Sequence, residues 1–241
     1  MYKGKKVILI APALNEQGKI EEVAKKVPYD VVDTFLVVDD GSTDQGAALA
    51  EENGAVILRH EQTKGVGVAI RDGFRYAQRE NFDIVVIIAG NNKDDPAEIV
   101  RLLDPICDDD CDFVVGSRFL PGGAYGGDMP GYRVIATRYI HPWLVRRFCN
   151  KAITESSNGY RAMKLSVLDD PRIKIDQSWQ KDYQLEMYLI MRILMLDFRT
   201  TEVPVSKIYP RREIGNTKMA PITGWWKMLY PIILVGLGLR K

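Results

Sequence analysis

The first half of the chain alternates short apolar runs with segments whose apolar residues recur at helical spacing. The runs are VILIAPA (7–13), TFLVVDD (34–40), AVILRH (55–60), DIVVIIAG (83–90) and DFVVGS (112–117). They are apolar at consecutive positions, which is typical of strands buried on both faces of a parallel sheet. Between them, residues such as Ile20, Val23 and Val27 fall on one helical face. We therefore predict an α/β fold with a central, mostly parallel sheet covered by helices.

The pattern changes at residues 118–131, which are rich in glycine and proline and predict a mobile loop. Beyond this loop, the spacing predicts a helix over 132–153, a turn at 157–159, a helix over 182–196 and a strand over 199–208. No linker composition separates these segments from the first half. We expect one domain over residues 1–219, followed by an amphipathic, interfacial helix over 220–241.

Composition narrows the class of protein. A chain of 241 residues can form one large α/β domain, and a net charge of +1 gives no reason to expect a nucleic-acid partner. The three cysteines, Cys107, Cys111 and Cys149, predict free thiols in a reducing compartment rather than a disulfide framework.

Two observations bear on location. The apolar run at residues 7–14 is short and lacks a cleavage pattern, so we expect no signal peptide. No segment reaches the roughly 20 apolar residues of a spanning helix. We expect a cytoplasmic protein, peripheral to the membrane.

In an open parallel sheet, ligands bind beyond the carboxyl ends of the strands. Polar or glycine-containing segments follow each of the apolar runs. They are residues 12–16, 39–44, 64–67, 89–95 and 116–118. We expect these strand ends to line one crevice.

Several motifs occur in order along these segments. They are PALNE (12–16), VDDGSTD (38–44), KGVGVAIRDG (64–73), GSR (116–118), SSNGYRA (156–162) and EVPV (202–205). Together they resemble family 2 glycosyltransferases, in particular the dolichyl- or polyprenyl-phosphate sugar synthases. The resemblance implies the GT-A fold, a Rossmann-like fold that binds nucleotide sugars. A fold alone does not determine function, so the function must be argued from the residues of the site.

The resemblance implies a donor site around the nucleotide sugar. Its residues are Pro12, Ala13, Asn15, Glu16, Asp39, Asp40, Lys64, Gly67, Gly90 and Asn91. Asp39 and Asp40 would hold the base and the ribose, although turn and helix-cap chemistry also favours DDGSTD. Gly67 could equally serve packing or a turn, and Glu16 could be a first-turn glutamate favoured by the helix dipole.

The expected metal site departs from the resembled pattern. Those synthases end this strand with Asp-x-Asp-x-Gln, which holds a divalent cation on the donor diphosphate; the matching residues here are Ala89, Asn91 and Lys93. Two interpretations remain for this position. In one, a divalent cation (Mg²⁺ or Mn²⁺) is held by Asn91 together with Asp94 or Asp95. In the other, no metal binds and Lys93 supplies the positive charge. A third interpretation is a surface pair between Lys93 and a neighbouring carboxylate. No organic cofactor is expected.

The acceptor decides which further groups are needed. A phosphate acceptor is already anionic and needs cations, for which Arg118, Arg133, Arg212 and Lys218 are candidates. A hydroxyl acceptor needs a general base, for which Glu155 and Glu186 are candidates. Arg161 also matches a family position. The candidate catalytic residues are Lys93, Arg118, Arg161, Glu155 and Glu186.

Two segments favour a membrane surface. PITGWWKMLYPIILVGLGLRK (221–241) and YIHPWLVRRF (139–148) combine aromatic and aliphatic residues with basic ones. Packing against the domain or a subunit interface would explain them equally well.

We therefore expect an inverting transfer of a hexose from a GDP- or UDP-sugar to a polyprenyl phosphate at the cytoplasmic membrane face. One alternative is transfer to a saccharide hydroxyl in glycan or lipopolysaccharide assembly. Another is a non-catalytic protein that binds nucleotide sugars.

Overall fold

A central sheet carries helices on both faces. The computed structural model describes residues 1–149, 151–209 and 223–240. In chain order the strands are β1 (Val7–Ala13), β2 (Thr34–Asp39), β3 (Val56–Arg59), β4 (Ile84–Ile87), β5 (Phe113–Ser117), β6 (Ala124–Gly127), β7 (Arg161–Lys164), β8 (Thr200–Pro204) and β9 (Ser206–Tyr209). Seven of them form one sheet in the order β3-β2-β1-β4-β7-β5-β8. All neighbours in it are parallel except β7, which is antiparallel to β4 and β5. The predicted α/β fold with a mostly parallel sheet is confirmed.

The helices divide between the two faces of this sheet. They are α1 (Ile20–Lys26), α2 (Gly46–Glu52), α3 (Val66–Arg79), α4 (Ile99–Asp108), α5 (Gly131–Ile135), α6 (His141–Cys149), α7 (Gln184–Met195) and α8 (Thr223–Gly236). Ile8 and Ile10 of β1 belong to the core that contains α3, α7 and α8. Val7 and Leu9 of the same strand belong to the core that contains α1 and α4. Two buried faces explain why β1 is apolar at every position.

Strand β7 was missed by the sequence pattern. It spans only Arg161–Lys164, and just its two middle residues, Ala162 and Met163, are apolar. It lies between β4 and β5, with Ala162 opposite Val86 and Val114. A strand this short has too little pattern to be recognised, and its place depends on its neighbours in the sheet.

Three expectations for the second half need correction. The predicted strand over 199–208 is two strands in different sheets, because β8 ends at Pro204 and β9 pairs in parallel with β6. The glycine-rich loop therefore contains a strand. The predicted helix over 132–153 is interrupted by a π-helical turn, Ala136–Ile140, and ends at Cys149. Pro142 follows this turn, and a proline ring distorts the preceding helical turn.

Helix α8 packs on the domain. Met228, Ile232 and Val235 are almost fully buried in the core shared with α7, and α8 also contacts α6. One face of the predicted interfacial helix therefore belongs to the same core, while the domain boundary at residue 219 lies outside the described residues and stays a prediction. Within the described ranges, no helix has both the length and the apolar character to cross a membrane.

Candidate active site

A cleft of about 570 Å³ lies at the carboxyl ends of the parallel strands. Every one of the polar strand ends identified in the sequence contributes at least one lining residue, so the predicted crevice is confirmed. The sequence-predicted residues that line it are Pro12, Ala13, Glu16, Asp40, Ala89, Gly90, Asn91, Lys93, Arg118, Arg133 and Glu186. Those outside the lining are Asn15, Asp39, Lys64, Gly67, Asp94, Asp95, Glu155 and Arg161. Most residues of this second group lie around the cleft and hold its loops and side chains in place.

Asn15 joins the loops that follow β1 and β2. Its backbone N–H donates to Ser42 Oγ at 2.9 Å, and its side-chain Oδ1 accepts from Thr43 N–H at 2.9 Å. Asn15 has a φ of 51°, in the left-handed region that asparagine tolerates better than most residues. The residue therefore fixes the rim of the cleft while its side chain points away from the cavity lining.

Asp39 and Asp40 have different surroundings. Asp39 is fully buried and accepts from Ser42 N–H at 2.9 Å and Arg59 Nε at 2.7 Å. Burial by itself would raise the pKa of Asp39, but these hydrogen bonds hold it below its usual value. Asp40 lines the cleft and accepts from the backbone N–H groups of Lys64 and Gly65, at 2.9 and 2.8 Å.

His60 extends the support of Asp40. Its Nδ1 lies 2.7 Å from Asp40 Oδ1, and its Nε2 lies 3.1 Å from Asp72 Oδ2. The imidazole is buried and connects the loop after β3 to α3. Asp40 is therefore fixed from behind as well as from the 64–65 loop. Sequence reasoning missed His60, since no motif distinguishes it.

Gly67 has a packing role. A Cβ at this position would lie 2.5 Å from the backbone oxygens of Gln180 and Asp182. The N–H of Gly67 donates to Lys181 O at 2.8 Å, so the segment before α7 lies directly on the start of α3. Lys64 has an exposed side chain outside the lining. Gly67 therefore packs behind the cleft wall, whereas the donor contact predicted for Lys64 stays a prediction.

Lys93 projects from the end of the β4 loop into the cleft. Its Nζ lies 4.6 Å from the centre of the Tyr209 ring, and its carbonyl accepts from Ile208 N–H at 2.8 Å. Burial, followed by the like charges of Lys207 and Arg133, lowers the pKa of Lys93 to about 8. The interpretation of Lys93 as a surface lysine is wrong, because the residue is 8% exposed.

Lys207 is a second ammonium group beside Lys93. Its Nζ lies 2.7 and 2.6 Å from the two carboxylate oxygens of Asp94 and 3.0 Å from Asn158 Oδ1. Both partners of this ion pair are buried. Val205, Lys207 and Tyr209 are buried on one side of β9 while Ile208 is exposed. This period of two is the signal from which the sequence could have identified Lys207.

The described residues do not fit a divalent cation at the expected position. Both oxygens of Asp94 are engaged by Lys207, and Asp95 is exposed and accepts from Ala97 N–H at the start of a 3-10 turn. Asn91 Oδ1 is buried with no hydrogen-bond partner in the described part of the chain, so it offers one neutral oxygen. No group of three or more His, Cys, Asp or Glu side chains that could hold a metal occurs among the described residues. Hard cations need several oxygen ligands, so the shifted site of Asn91, Asp94 and Asp95 is not formed.

Arg118 and Glu155 form a buried ion pair. Arg118 Nε donates to Glu155 Oε2 at 2.8 Å, Nη2 contacts Oε1, and Nη1 donates to Tyr209 Oη at 3.3 Å. Glu155 is fully buried and outside the cleft lining. The prediction of Glu155 as a general base is therefore wrong, since its carboxylate is engaged by the guanidinium and has no access to an acceptor.

Arg161 is also beneath the cleft. Its guanidinium donates to the backbone oxygens of Ser156, Asn158 and Glu186, at 2.6, 2.7 and 3.0 Å. Burial lowers its pKa. The predicted catalytic role is corrected to a positioning role, in which Arg161 holds the 156–158 turn against α7.

Glu186 lines the cleft at the start of α7. Desolvation raises its pKa, an effect that Arg161 partly opposes. Of the two predicted bases, it is the one with access to the cavity.

Other lining residues were missed by the sequence reasoning. They include Lys19, Thr137, Tyr183, Lys227 and Met228. Most come from the second half, where the residues brought to the cleft are far apart in sequence. Of the predicted acceptor-phosphate residues, Arg212 and Lys218 lie outside the described residues, so those predictions stand untested.

The sheet and the cleft match the GT-A fold. Crystal structures of glucosyl-3-phosphoglycerate synthase from Mycobacterium tuberculosis match 99% of this chain. One, in complex with Mn²⁺, UDP and glucosyl-3-phosphoglycerate, has a TM-score of 0.70, 22% identity and 82% of its own chain covered. At this identity the match shows the shared fold and carries no conclusion about ligands.

The chain belongs to glycosyl transferase family 2, whose model matches residues 8–170. Polyprenol monophosphomannose synthase of Mycolicibacterium smegmatis is 29% identical, over 89% of this chain and 81% of that protein. Undecaprenyl-phosphate mannosyltransferase of Micrococcus luteus is 28% identical, over 89% and 88%. UDP-N-acetylglucosamine–dolichyl-phosphate N-acetylglucosaminyltransferase of Methanococcus voltae is 25% identical, over 97% of each. The resemblance found in the motifs is confirmed, and the protein is a glycosyltransferase.

Proposed function

We propose that this protein transfers a hexose from a nucleoside-diphosphate sugar to a polyprenyl phosphate. The observation that carries the proposal is a cleft at the strand ends with Lys93, Arg118 and Arg133 in its lining. The chain is also related, over most of its length, to three transferases whose names include lipid-phosphate acceptors. An anionic donor and an anionic acceptor must approach each other in this reaction. A cationic cleft reduces the repulsion between them.

The reaction needs no proton transfer. An oxygen of the acceptor phosphate attacks the anomeric carbon of the sugar from the face opposite the diphosphate. The new carbon–oxygen bond forms as the bond to the β-phosphate oxygen breaks, and its electron pair leaves with the nucleoside diphosphate. In-line displacement inverts the anomeric configuration. Because the leaving group gains negative charge, cations placed near it stabilise the transition state.

Two cationic side chains that line the cleft come from different elements of the fold. Lys93 lies at the end of β4, beside the β1 and β2 loops that the donor is proposed to occupy. Arg133, on α5, lies 5.8 Å from the centre of the Tyr209 ring, which Lys93 also contacts. We assign Lys93 to the donor diphosphate and Arg133 to the acceptor phosphate. Arg118 supports both by fixing the Tyr209 hydroxyl.

A membrane surface fits the same helices. Tyr132, Ile135, Tyr139 and Trp143 have exposed fractions of 56%, 58%, 59% and 66%, and their spacing places them along one side of the α5–α6 segment. We call this set the aromatic face. Arg138, Arg146 and Arg147 are exposed in the same segment. Aromatic side chains with arginines suit the interface of an anionic bilayer.

The aromatic face is continuous with the cleft. Arg133 and Thr137, on the same segment, are buried and line the cavity. A polyprenyl phosphate whose chain stays in the bilayer could place its phosphate at Arg133. We therefore propose that the protein acts at a membrane surface.

Glu186 favours a second candidate, transfer to a saccharide hydroxyl. It lines the cleft, and its raised pKa suits a general base. Substitution Glu186→Gln separates the two candidates. A hydroxyl acceptor predicts a loss of about 10²-fold or more in turnover, whereas a phosphate acceptor needs no base and predicts a far smaller change.

The direct test is transfer of labelled hexose from UDP- and GDP-sugars into polyprenyl phosphate in detergent or vesicles. Label in the lipid phase supports the proposal, and its anomeric configuration tests inversion. Label in a saccharide acceptor but not in lipid would favour the second candidate. Donor binding without transfer to either acceptor would indicate a non-catalytic protein.

A further inference from the structure

We propose that this protein binds its nucleoside diphosphate without a divalent metal ion, and that Lys93, with Lys207 beside it, supplies the positive charge at the diphosphate. The inference rests on the proposed function, because it concerns the donor of that reaction. It assigns the charge of the donor site to side chains rather than to an ion.

The position of Lys93 carries the first part of the argument. It follows β4, between the β1 loop and β9, and its ammonium faces the cleft. Among the described residues, the Ile208 N–H donates to its carbonyl, and the Tyr209 ring lies beneath its Nζ. A lysine held in this way is already desolvated before a ligand arrives. A preorganised charge costs little reorganisation when it meets an anion.

The ion pair of Lys207 and Asp94 carries the second part. Asp94 is the carboxylate nearest in sequence to the expected ligand positions, and Lys207 occupies both of its oxygens at 2.6 and 2.7 Å. To recruit Asp94, a metal ion would have to displace a buried ammonium group. Breaking a buried ion pair is costly, because it leaves a buried charge without its partner. The same pair keeps the Lys207 ammonium close to Lys93.

The concentration of positive charge carries the third part. Lys207, Arg133 and Lys19 all act on Lys93 as like charges, with Glu16 as an opposing one. Like charges around a buried ammonium group disfavour its charged form, and an anion bound beside it favours that form. A diphosphate would relieve this repulsion. A divalent cation in the same place would increase it.

The first experiment measures UDP and GDP binding to the unsubstituted protein by calorimetry, in EDTA and in Mn²⁺. We expect affinities within about threefold of each other. A gain of tenfold or more in Mn²⁺ would overturn the inference and leave the proposed function intact. Absence of nucleotide binding in both conditions would overturn both.

The second experiment uses variants in EDTA. Lys93→Ala should weaken binding at least about tenfold, since it removes a charged partner of the diphosphate. Lys5→Ala removes the same charge from an exposed residue just before the amino end of β1, and should change binding less than twofold. Equal effects of the two substitutions would contradict the assignment.

The third experiment restores the ligand pattern of the resembled synthases. The triple variant Ala89→Asp, Asn91→Asp and Lys93→Gln should bind UDP better in Mn²⁺ than in EDTA. It should also bind Mn²⁺ in the presence of UDP. Electron paramagnetic resonance would then show less free Mn²⁺ than in a solution of UDP without protein. Uptake of Mn²⁺ to the same extent by the unsubstituted protein with UDP would overturn the inference.

Discussion

Two buried ion pairs lie beneath the cleft, Arg118 with Glu155 and Lys207 with Asp94. In each, the charges are removed from water and depend on one another and on nearby polar groups. Removing one partner leaves an uncompensated buried charge, which costs more than the pair contributes. The pairs therefore fix Tyr209 and the β9 side of the cleft in one arrangement.

Glu155→Ala tests the first pair. We expect the free energy of unfolding to fall by about 3–5 kcal/mol, because Arg118 is left buried without its carboxylate. Chemical denaturation measures the change. Glu22→Ala removes a carboxylate from an exposed pair with Lys25 and should have little effect. Comparable losses in the two variants would show that the burial of Glu155 has no energetic consequence.

The ionisation of Lys93 predicts how ligand affinity depends on pH. The pKa of Lys93 is lowered to about 8, so the empty protein loses this charge above that pH. A bound diphosphate favours the ammonium form and raises its pKa. Affinity for UDP or GDP should therefore fall as pH rises through 8, by up to about tenfold per unit.

Calorimetry from about pH 7 to about pH 9.5 measures this dependence. Burial lowers the pKa of Lys93 most, the charges of Lys207, Arg133 and Lys19 lower it further, and Glu16 raises it. The control is Lys93→Arg, because a guanidinium stays charged over this range and should flatten the profile. Parallel profiles for the two proteins would assign the dependence to another group.

At the scale of elements, the start of α3 is shaped by the segment that precedes α7. Gly65 caps α3 with a φ of 109°, and its N–H donates to Asp40. Gly67 permits backbone contact with residues 180–182. The sequence motif KGVGVAIRDG marked this loop, but the physical reason for Gly67 is close packing rather than ligand contact.

Gly67→Ala should destabilise the protein by about 1–3 kcal/mol, because its Cβ would meet backbone oxygens at 2.5 Å. Gly131→Ala is a matched control, since no atom lies within 4 Å of the added Cβ. Thermal unfolding of both variants measures the difference. If Gly67→Ala unfolds with the wild-type midpoint, the 180–182 segment must be able to move away.

At the scale of the whole molecule, the α5–α6 segment carries the aromatic face and also contributes residues to the lining of the cleft. A protein that takes a lipid acceptor from a bilayer needs its cavity to open beside the surface that contacts the lipid. Arginines next to exposed aromatic side chains add electrostatic attraction to anionic headgroups. Salt screens this attraction.

We expect the protein to sediment with vesicles that contain phosphatidylglycerol, and less so as salt is raised. The double variant Tyr139→Ser and Trp143→Ser should reduce this binding about tenfold or more, because two exposed aromatic anchors are lost. Val56→Thr changes an exposed apolar residue on the edge strand β3 and should leave binding unchanged. Binding by the double variant equal to that of the wild type would exclude the aromatic face as the contact.

The sequence by itself determined the parallel sheet, the strand ends that meet at the cleft, the family and the unusual lysine at residue 93. These follow from local patterns and from motifs contiguous in the chain. The tertiary structure decided which charges face the cavity. Asp94 and Lys207 are 113 residues apart, and Arg118 and Glu155 are 37 apart. Whether a carboxylate is a ligand, a base or the partner of a buried cation depends on neighbours that only folding brings together.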